Sequence, residues 1–296
     1  MFRDSMWFSA VSCPAARRIW QGLRAGAMTA GLVSWGNWGC SAPVHQSRRP
    51  VALEDASAAP AANGRGESDS ARSTPLPEVS HVASPRRVEH SWMSLAEWRR
   101  RHEAQLHSPG RKRAQLVVLG DSIAEGWCGS DAFRRAFSEY EPLGLAVGGD
   151  QTQHLLWRIE QGILEGLDPR LALVLIGVNN LGNGFDPRQT SDGVRRVVEE
   201  VRERLPQTPV LLLSILPAGE TEADSLRQSI THTNPLLERL AEPGQVFVED
   251  VGSIFLGPEA RIDPADMADF LHPTESGQVK LTAAVAPLVS KYARPR

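Results

Sequence analysis

A three-layer α/β/α sandwich around a five-stranded parallel sheet is the fold class this sequence predicts, and three observations point to it. Short, mainly apolar runs recur at 115–119, 143–147, 171–176, 210–215 and 246–248, each bounded by Gly, Pro or Asp. Runs such as Leu-Ala-Leu-Val-Leu-Ile at 171–176 have no polar alternation, so both faces of the strand must be covered, as in a parallel sheet. Segments with helical period lie between and after them, at 152–164, 191–205, 225–240 and 275–291. Strand–helix alternation of this kind implies right-handed crossovers with helices on both sides of the sheet. The third observation is that residues able to do chemistry follow the strands directly, where open α/β sheets bind their ligands.

Taken in order, Ser94-Leu95-Ala96-Glu97 reads as a capping box that opens a helix carrying Trp98, His102 and Leu106. The five strands and four later helices follow, and Pro235 predicts a break or kink within the 225–240 segment. The chain of 296 residues is long enough for one domain of about 200 residues plus extensions. The extensions lie at the front. Residues 48–87 are rich in Ala, Ser, Pro, Gly and Arg and hold hardly any large apolar side chain, so they cannot bury enough area to offset their chain entropy. The expected organisation is therefore an export segment at 1–40, a disordered linker at 41–90 and a folded domain at 91–296. Within the first segment, Arg17, Arg18 and Arg24 precede an uncharged run containing Met28, Leu32, Val33 and Trp35. That layout predicts export to the periplasm or beyond. Gly39-Cys40-Ser41 resembles a bacterial lipoprotein cleavage site, at which Cys40 would carry the lipid and anchor the chain to a membrane. Without such a signal the chain would be cytoplasmic.

Composition excludes several classes of function. A formal charge of -3 gives no global reason to bind nucleic acid or another polyanion. Cys13, Cys40 and Cys128 are too far apart for a disulfide scaffold or a zinc or iron-sulfur site. A stretch of about 20 strongly apolar residues, as a polytopic membrane protein needs, is missing. His102-Glu103-Ala104-Gln105-Leu106-His107 has the look of a zincin motif, but its histidines are five apart and point about 140° from each other on a helix. With no Gly-x-Ser-x-Gly elbow and no Walker loop, α/β-hydrolase and nucleotide-hydrolase readings also fall.

The strand ends carry Gly120-Asp121-Ser122, Gly148-Gly149-Asp150 and Gly177-Val178-Asn179-Asn180, and the long loop after the last strand ends in Asp269-Phe270-Leu271-His272-Pro273. A serine hydroxyl becomes an effective nucleophile when a base takes its proton and a carboxylate fixes the tautomer of that base. Ser122, His272 and Asp269 fit those roles, and a separation of three puts Asp269 and His272 on one face of a helical turn. The tetrahedral oxyanion needs donors fixed in advance. The candidates are the Ser122 and Gly149 backbone N–H groups and the Asn179 side-chain amide; a glycine at 149 also lets substrate come close to the backbone. Each motif alone is common turn or cap chemistry, but the set, in one order and at successive strand ends, points to catalysis. His154, on the helix after Gly149, is expected to be structural.

From about residue 92 to 288 the chain resembles the SGNH, or GDSL, hydrolase superfamily, with Gly120-Asp121-Ser122 as its first block and Asp269-x-x-His272 as its last. Within it the chain is most similar to the platelet-activating-factor acetylhydrolase catalytic-subunit type and its bacterial esterase relatives. That closeness rests on the stretch Gly148-Gly149-Asp150-Gln151-Thr152-Gln153-His154-Leu155-Leu156-Trp157-Arg158 and on residues 120–127. The resemblance implies a flavodoxin-like sheet, Ser122 as nucleophile, His272 as base, Asp269 as orienting acid, and Ser122, Gly149 and Asn179 as oxyanion donors. It also implies a homodimer. Val178 departs from the family pattern, which has Thr before the asparagine.

These features predict a serine ester hydrolase without metal or cofactor, acting through an acyl-serine intermediate on small-molecule esters. Connections are short apart from 251–268, which predicts a shallow site suited to acetyl or other short acyl groups on carbohydrate or lipid-like esters. Two alternatives use the same residues differently: an idle module that binds acylated glycans or a partner, and an O-acyltransferase that delivers the acyl group to a sugar hydroxyl.

Overall fold

A computed structural model describes residues 78–295. Its sheet has five strands, β1 (Leu116–Gly120), β2 (Leu143–Gly144), β3 (Leu171–Leu175), β4 (Val210–Leu213) and β5 (Val246–Glu249), in the order β2-β1-β3-β4-β5 with every pairing parallel. All residues of β1, β3 and β4 are buried, which is why these segments have no polar alternation. The helices are α1 (Leu95–Leu106), α2 (Ser122–Cys128), α3 (Asp131–Ala136), α4 (Thr152–Glu160), α5 (Val178–Gly182), α6 (Pro187–Arg204), α7 (Ser225–Glu238) and α8 (Glu275–Tyr292). In one layer α4 and α7 each pack on α6, and the other is built from α2, α3 and α8. Trp127, Phe133 and Phe137 stack edge to face beneath the second layer, and Trp127 Nε1 donates to Thr282 Oγ1 at 2.9 Å, tying α2 to α8.

Several boundaries differ from the sequence expectation for identifiable reasons. The ladder of β2 stops at Gly144, although Leu145 and Val147 still donate to Val118 and Gly120. The carbonyls of Leu145 and Ala146 accept instead from Arg158 Nη2 and Gln105 Nε2. At the end of β4 the side chain of Asn234 takes both Ile215 N and Ile215 O at 3.0 Å, replacing a strand partner by an amide. Helix α6 begins at Pro187 rather than Ser191, because Asp186 and Gln189 form a capping box with Pro at the first turn. Helix α7 continues through Pro235 to Glu238, so the proline does not break it; it lies close to the helix end, where little of the hydrogen-bond ladder remains to lose.

The linker expected to reach residue 90 is not unstructured in its last part, which forms a strap against α4 and α6. Ser80 donates to Gln189 O, and Ser80 O accepts from Thr152 Oγ1 at 2.7 Å. Ser84 N donates to Gln153 O at 3.0 Å, and Arg86 is 2% exposed. The strap buries polar groups rather than apolar ones, so apolar content could not reveal it. Residues 1–40, Cys40 among them, and most of the linker lie outside the described residues.

Candidate active site

Three chain segments meet at the carboxyl ends of β1, β2 and β3. Gly120 is in register with Leu175, and Val147 N donates to Gly120 O at 3.2 Å, so the turns that follow the three strands lie side by side. Gly120 permits this closeness: a Cβ there would stand 2.3 Å from Leu175 O and 2.7 Å from the Ala124 Cβ. Asp121 then caps α2, its Oδ1 accepting from Ile123 N at 3.0 Å, and Ser122 is the first helical residue. The Asp121 carboxyl is 1% exposed, and burial pushes its pKa up to about 7, with the Asp150 and Glu125 carboxylates adding to the rise against the Ile123 hydrogen bond.

Ser122 Oγ lies 2.9 Å from His272 Nε2, across 150 positions of sequence. His272 Nδ1 lies 2.7 Å from Asp269 Oδ2. The other oxygen of Asp269 accepts from the backbone N–H of His272 at 2.8 Å and of Leu271 at 3.1 Å. The intervening turn is not the helical turn expected from the spacing, since Phe270 adopts a left-handed φ of 55°. The turn is held from outside: Gly219 N, in the loop after β4, donates to Phe270 O at 2.9 Å. It is also held from behind, where Asp266 accepts from Ser276 Oγ at 3.0 Å and Lys280 Nζ at 2.5 Å on α8. Burial raises the Asp269 pKa, but the His272 hydrogen bonds outweigh it and hold the carboxyl below its ordinary range. Side-chain exposures of 57% for Asp269 and 42% for His272 place the pair at the mouth of the site, open to water.

The second turn, 147–150, is closed by Asp150 N donating to Val147 O at 3.1 Å, with Gly149 at φ 73° as a type II turn requires. A side chain at 149 is excluded twice, by that φ and by Trp92, whose ring would stand 2.6 Å from the new Cβ. Asn179 Nδ2 donates to Asp150 O at 3.0 Å, which fixes its amide beside this turn and leaves its second N–H for another acceptor. Of the residues expected at the site, Ser122, His272 and Asp269 are thus joined directly, and Gly149 and Asn179 are joined to each other through Asp150. His154 stands apart, buried, with Nδ1 accepting from Gln151 N at 3.1 Å and its pKa pushed down by burial.

Sequence reading missed what lies beneath the second turn. The buried Asp150 carboxylate accepts from Trp98 Nε1 at 2.7 Å, Arg86 Nη2 at 3.2 Å and Arg158 Nη1 at 2.8 Å. Glu125 Oε2 accepts from Gly148 N at 2.9 Å and Oε1 from Arg101 at 2.6 Å. Asp150 and Arg158 belong to the long motif at 148–158, so a signal for them existed; Arg86 sits in a compositionally poor segment and gave none.

Residues 118–280 match the family model described as GDSL-like Lipase/Acylhydrolase family. The chain belongs to that family. It is 32% identical over 199 residues to platelet-activating factor acetylhydrolase IB subunit alpha1 of Homo sapiens, covering 67% of this chain and 82% of that one. The alpha2 subunit of Rattus norvegicus is 29% identical over 212 residues, covering 71% and 89%. Among solved structures, a GDSL-like lipase from Bacteroides thetaiotaomicron superposes with a TM-score of 0.55 at 22% identity, over 66% of this chain and 98% of that one, and shares the fold. The protein is accordingly a carboxylic ester hydrolase of the GDSL type.

Proposed function

We propose that this esterase removes short acyl groups, acetyl above all, through an acyl-serine intermediate on Ser122. The observation that carries the reading is the relay Ser122 Oγ–His272 Nε2–Nδ1–Asp269 Oδ2, at 2.9 and 2.7 Å. With Nδ1–H donating to the carboxylate, Nε2 keeps its lone pair and faces the serine hydroxyl. Ser122 Oγ attacks the acyl carbon while His272 Nε2 takes its proton; the C–O bond to the alcohol then breaks, and the alcohol leaves with that proton. Water repeats the sequence on the acyl-serine, giving up a proton to His272, and releases the free acid and Ser122. The negative oxygen of each tetrahedral intermediate is met by the Ser122 and Gly149 N–H groups and the free N–H of Asn179. Gly149 N–H has no acceptor among the described residues, and Ser122 N–H, at the first helical position, has no intrahelical one.

Two features support the short-acyl assignment. The Trp92 ring presses on the Gly148–Gly149 backbone and fills the space beside the proposed donor, and the relatives at about 30% identity are named acetylhydrolases. Carbohydrate or lipid-like alcohols are the proposed leaving groups. The test is kinetics of the wild type and Ser122→Ala on 4-nitrophenyl esters of increasing chain length. Activity falling from two carbons upward and abolished in Ser122→Ala supports the reading, whereas an optimum at eight carbons or more refutes the short-acyl part. Export, with lipidation of Cys40, and a homodimer complete the proposal; loss of membrane association in Cys40→Ala and a dimeric mass in sedimentation are the expected results.

A further inference from the structure

We propose that Arg86, from the strap that precedes the family-matching region, is a positioning residue that locks the Gly149 N–H into the oxyanion hole. The inference rests on the proposed roles of Ser122 and Gly149. Arg86 Nη2 donates to Gly148 O at 2.7 Å, and the same nitrogen lies 3.2 Å from Asp150 Oδ1. The guanidinium is thus fastened to both sides of Gly149. The described chain has no cis peptide, so the Gly148 C=O and the Gly149 N–H point in opposite directions from one planar unit. Holding the carbonyl on Arg86 therefore turns the N–H away from the strap, and this N–H finds no acceptor in the described protein.

The lock is needed because the turn has a competing form. Type I and type II turns differ by coupled rotations of roughly 150° in ψ of the second residue and roughly 170° in φ of the third, which together invert the middle peptide. Two glycines at the centre of the 147–150 turn, Gly148 and Gly149, offer little steric resistance to that inversion. The inverted peptide would withdraw the N–H and present the Gly148 carbonyl oxygen to a developing oxyanion. Glu125 restrains the Gly148 N–H side of the turn, at 2.9 Å, but does not touch the peptide that inverts. Among the described residues Arg86 is the side chain that binds its carbonyl, and its guanidinium carbon lies over the Trp92 and Trp98 rings, 6.0 and 5.7 Å from their centroids.

The experiment uses the full chain and measures kcat and KM on 4-nitrophenyl acetate, together with Tm, for Arg86→Met, Trp98→Phe and Ser122→Ala. Trp98 reaches the Asp150 carboxylate but not the Gly148–Gly149 peptide, so it reports what weakening Asp150 alone does. The expected result is a 10- to 100-fold fall in kcat for Arg86→Met with KM within threefold of wild type, against a fall of less than threefold for Trp98→Phe with a lowered Tm. The upper end is that of losing one oxyanion donor, about 100-fold or more. A folded Arg86→Met with wild-type kcat, or equal losses in Arg86→Met and Trp98→Phe, overturns the inference. If Arg86→Met does not fold, Arg86→Lys decides. Its ammonium keeps the charge facing Asp150 but ends one bond short of the Nη2 that reaches Gly148 O, so a reduced kcat supports the lock and a wild-type kcat overturns it. Residual activity in Ser122→Ala instead removes the functional reading on which the inference rests, which separates the two failures.

Discussion

Asp269 grips His272 at two points, with Oδ2 on the ring Nδ1 at 2.7 Å and Oδ1 on the backbone N–H at 2.8 Å. One carboxylate therefore sets both where the loop presents the histidine and which ring nitrogen carries the proton. The carboxylate is over half exposed, so its charge acts through a partly screened path rather than a buried one.

This double grip separates under substitution. Asp269→Asn keeps an oxygen for the backbone N–H groups but offers the ring no anion. Expected is a kcat reduced by about 100- to 1,000-fold, less than the roughly 10,000-fold known for a buried triad aspartate, with Tm little changed. Steady-state kinetics beside a thermal melt checks both halves; a kcat within tenfold of wild type would show that the carboxylate charge is dispensable.

Asn179→Ala removes an amide that contacts Asp150 O and, in the proposed mechanism, the oxyanion. The expected loss is about 100- to 1,000-fold in kcat with KM nearly constant, the signature of a group used mainly in the transition state. A rise in KM at unchanged kcat would assign Asn179 to substrate binding instead.

The Asp121 carboxyl predicts a pH dependence of stability. Its folded pKa of about 7 lies above its ordinary 3.8, so between those values the unfolded chain has released a proton that the folded chain retains. Stability from this group is full below about pH 4 and declines as pH rises toward 7. Asp121→Asn retains a good helix cap and removes the titration. Its Tm should change less between pH 5 and pH 8 than that of the wild type; parallel Tm–pH curves for the two proteins would contradict the assignment.

Gly193 on α6 lets that helix meet the strap and α4. A Cβ there would stand 2.3 Å from Thr152 Oγ1 and 2.8 Å from Ser80 O. Gly193→Ala, favourable to an isolated helix, is expected to destabilise this one by about 1–3 kcal/mol through overpacking. Chemical denaturation measures it, and a neutral or stabilising result would mean that the strap is readily displaced from α6.

By itself the sequence determined the architecture and which polar groups stand together at the strand ends. Both are local matters: short apolar runs without polar alternation, bounded by Gly, Pro or Asp, read as covered strands, and Ser122, Gly149 and Asn179 follow strand ends within a few residues, so placing the strands placed them. The Asp269–His272 pair was legible from its spacing, although not its left-handed turn at Phe270, which the loop after β4 imposes through the Gly219–Phe270 hydrogen bond. Only the tertiary structure decided the role of residues 78–90. Arg86, Ser80 and Ser84 leave water by pairing polar atoms with partners 62 to 109 positions away, such as Gly148 and Gln189. Polar pairing over such distances leaves no periodicity and no apolar excess in the chain, so a segment that composition marks as unable to fold alone is ordered by the domain it covers.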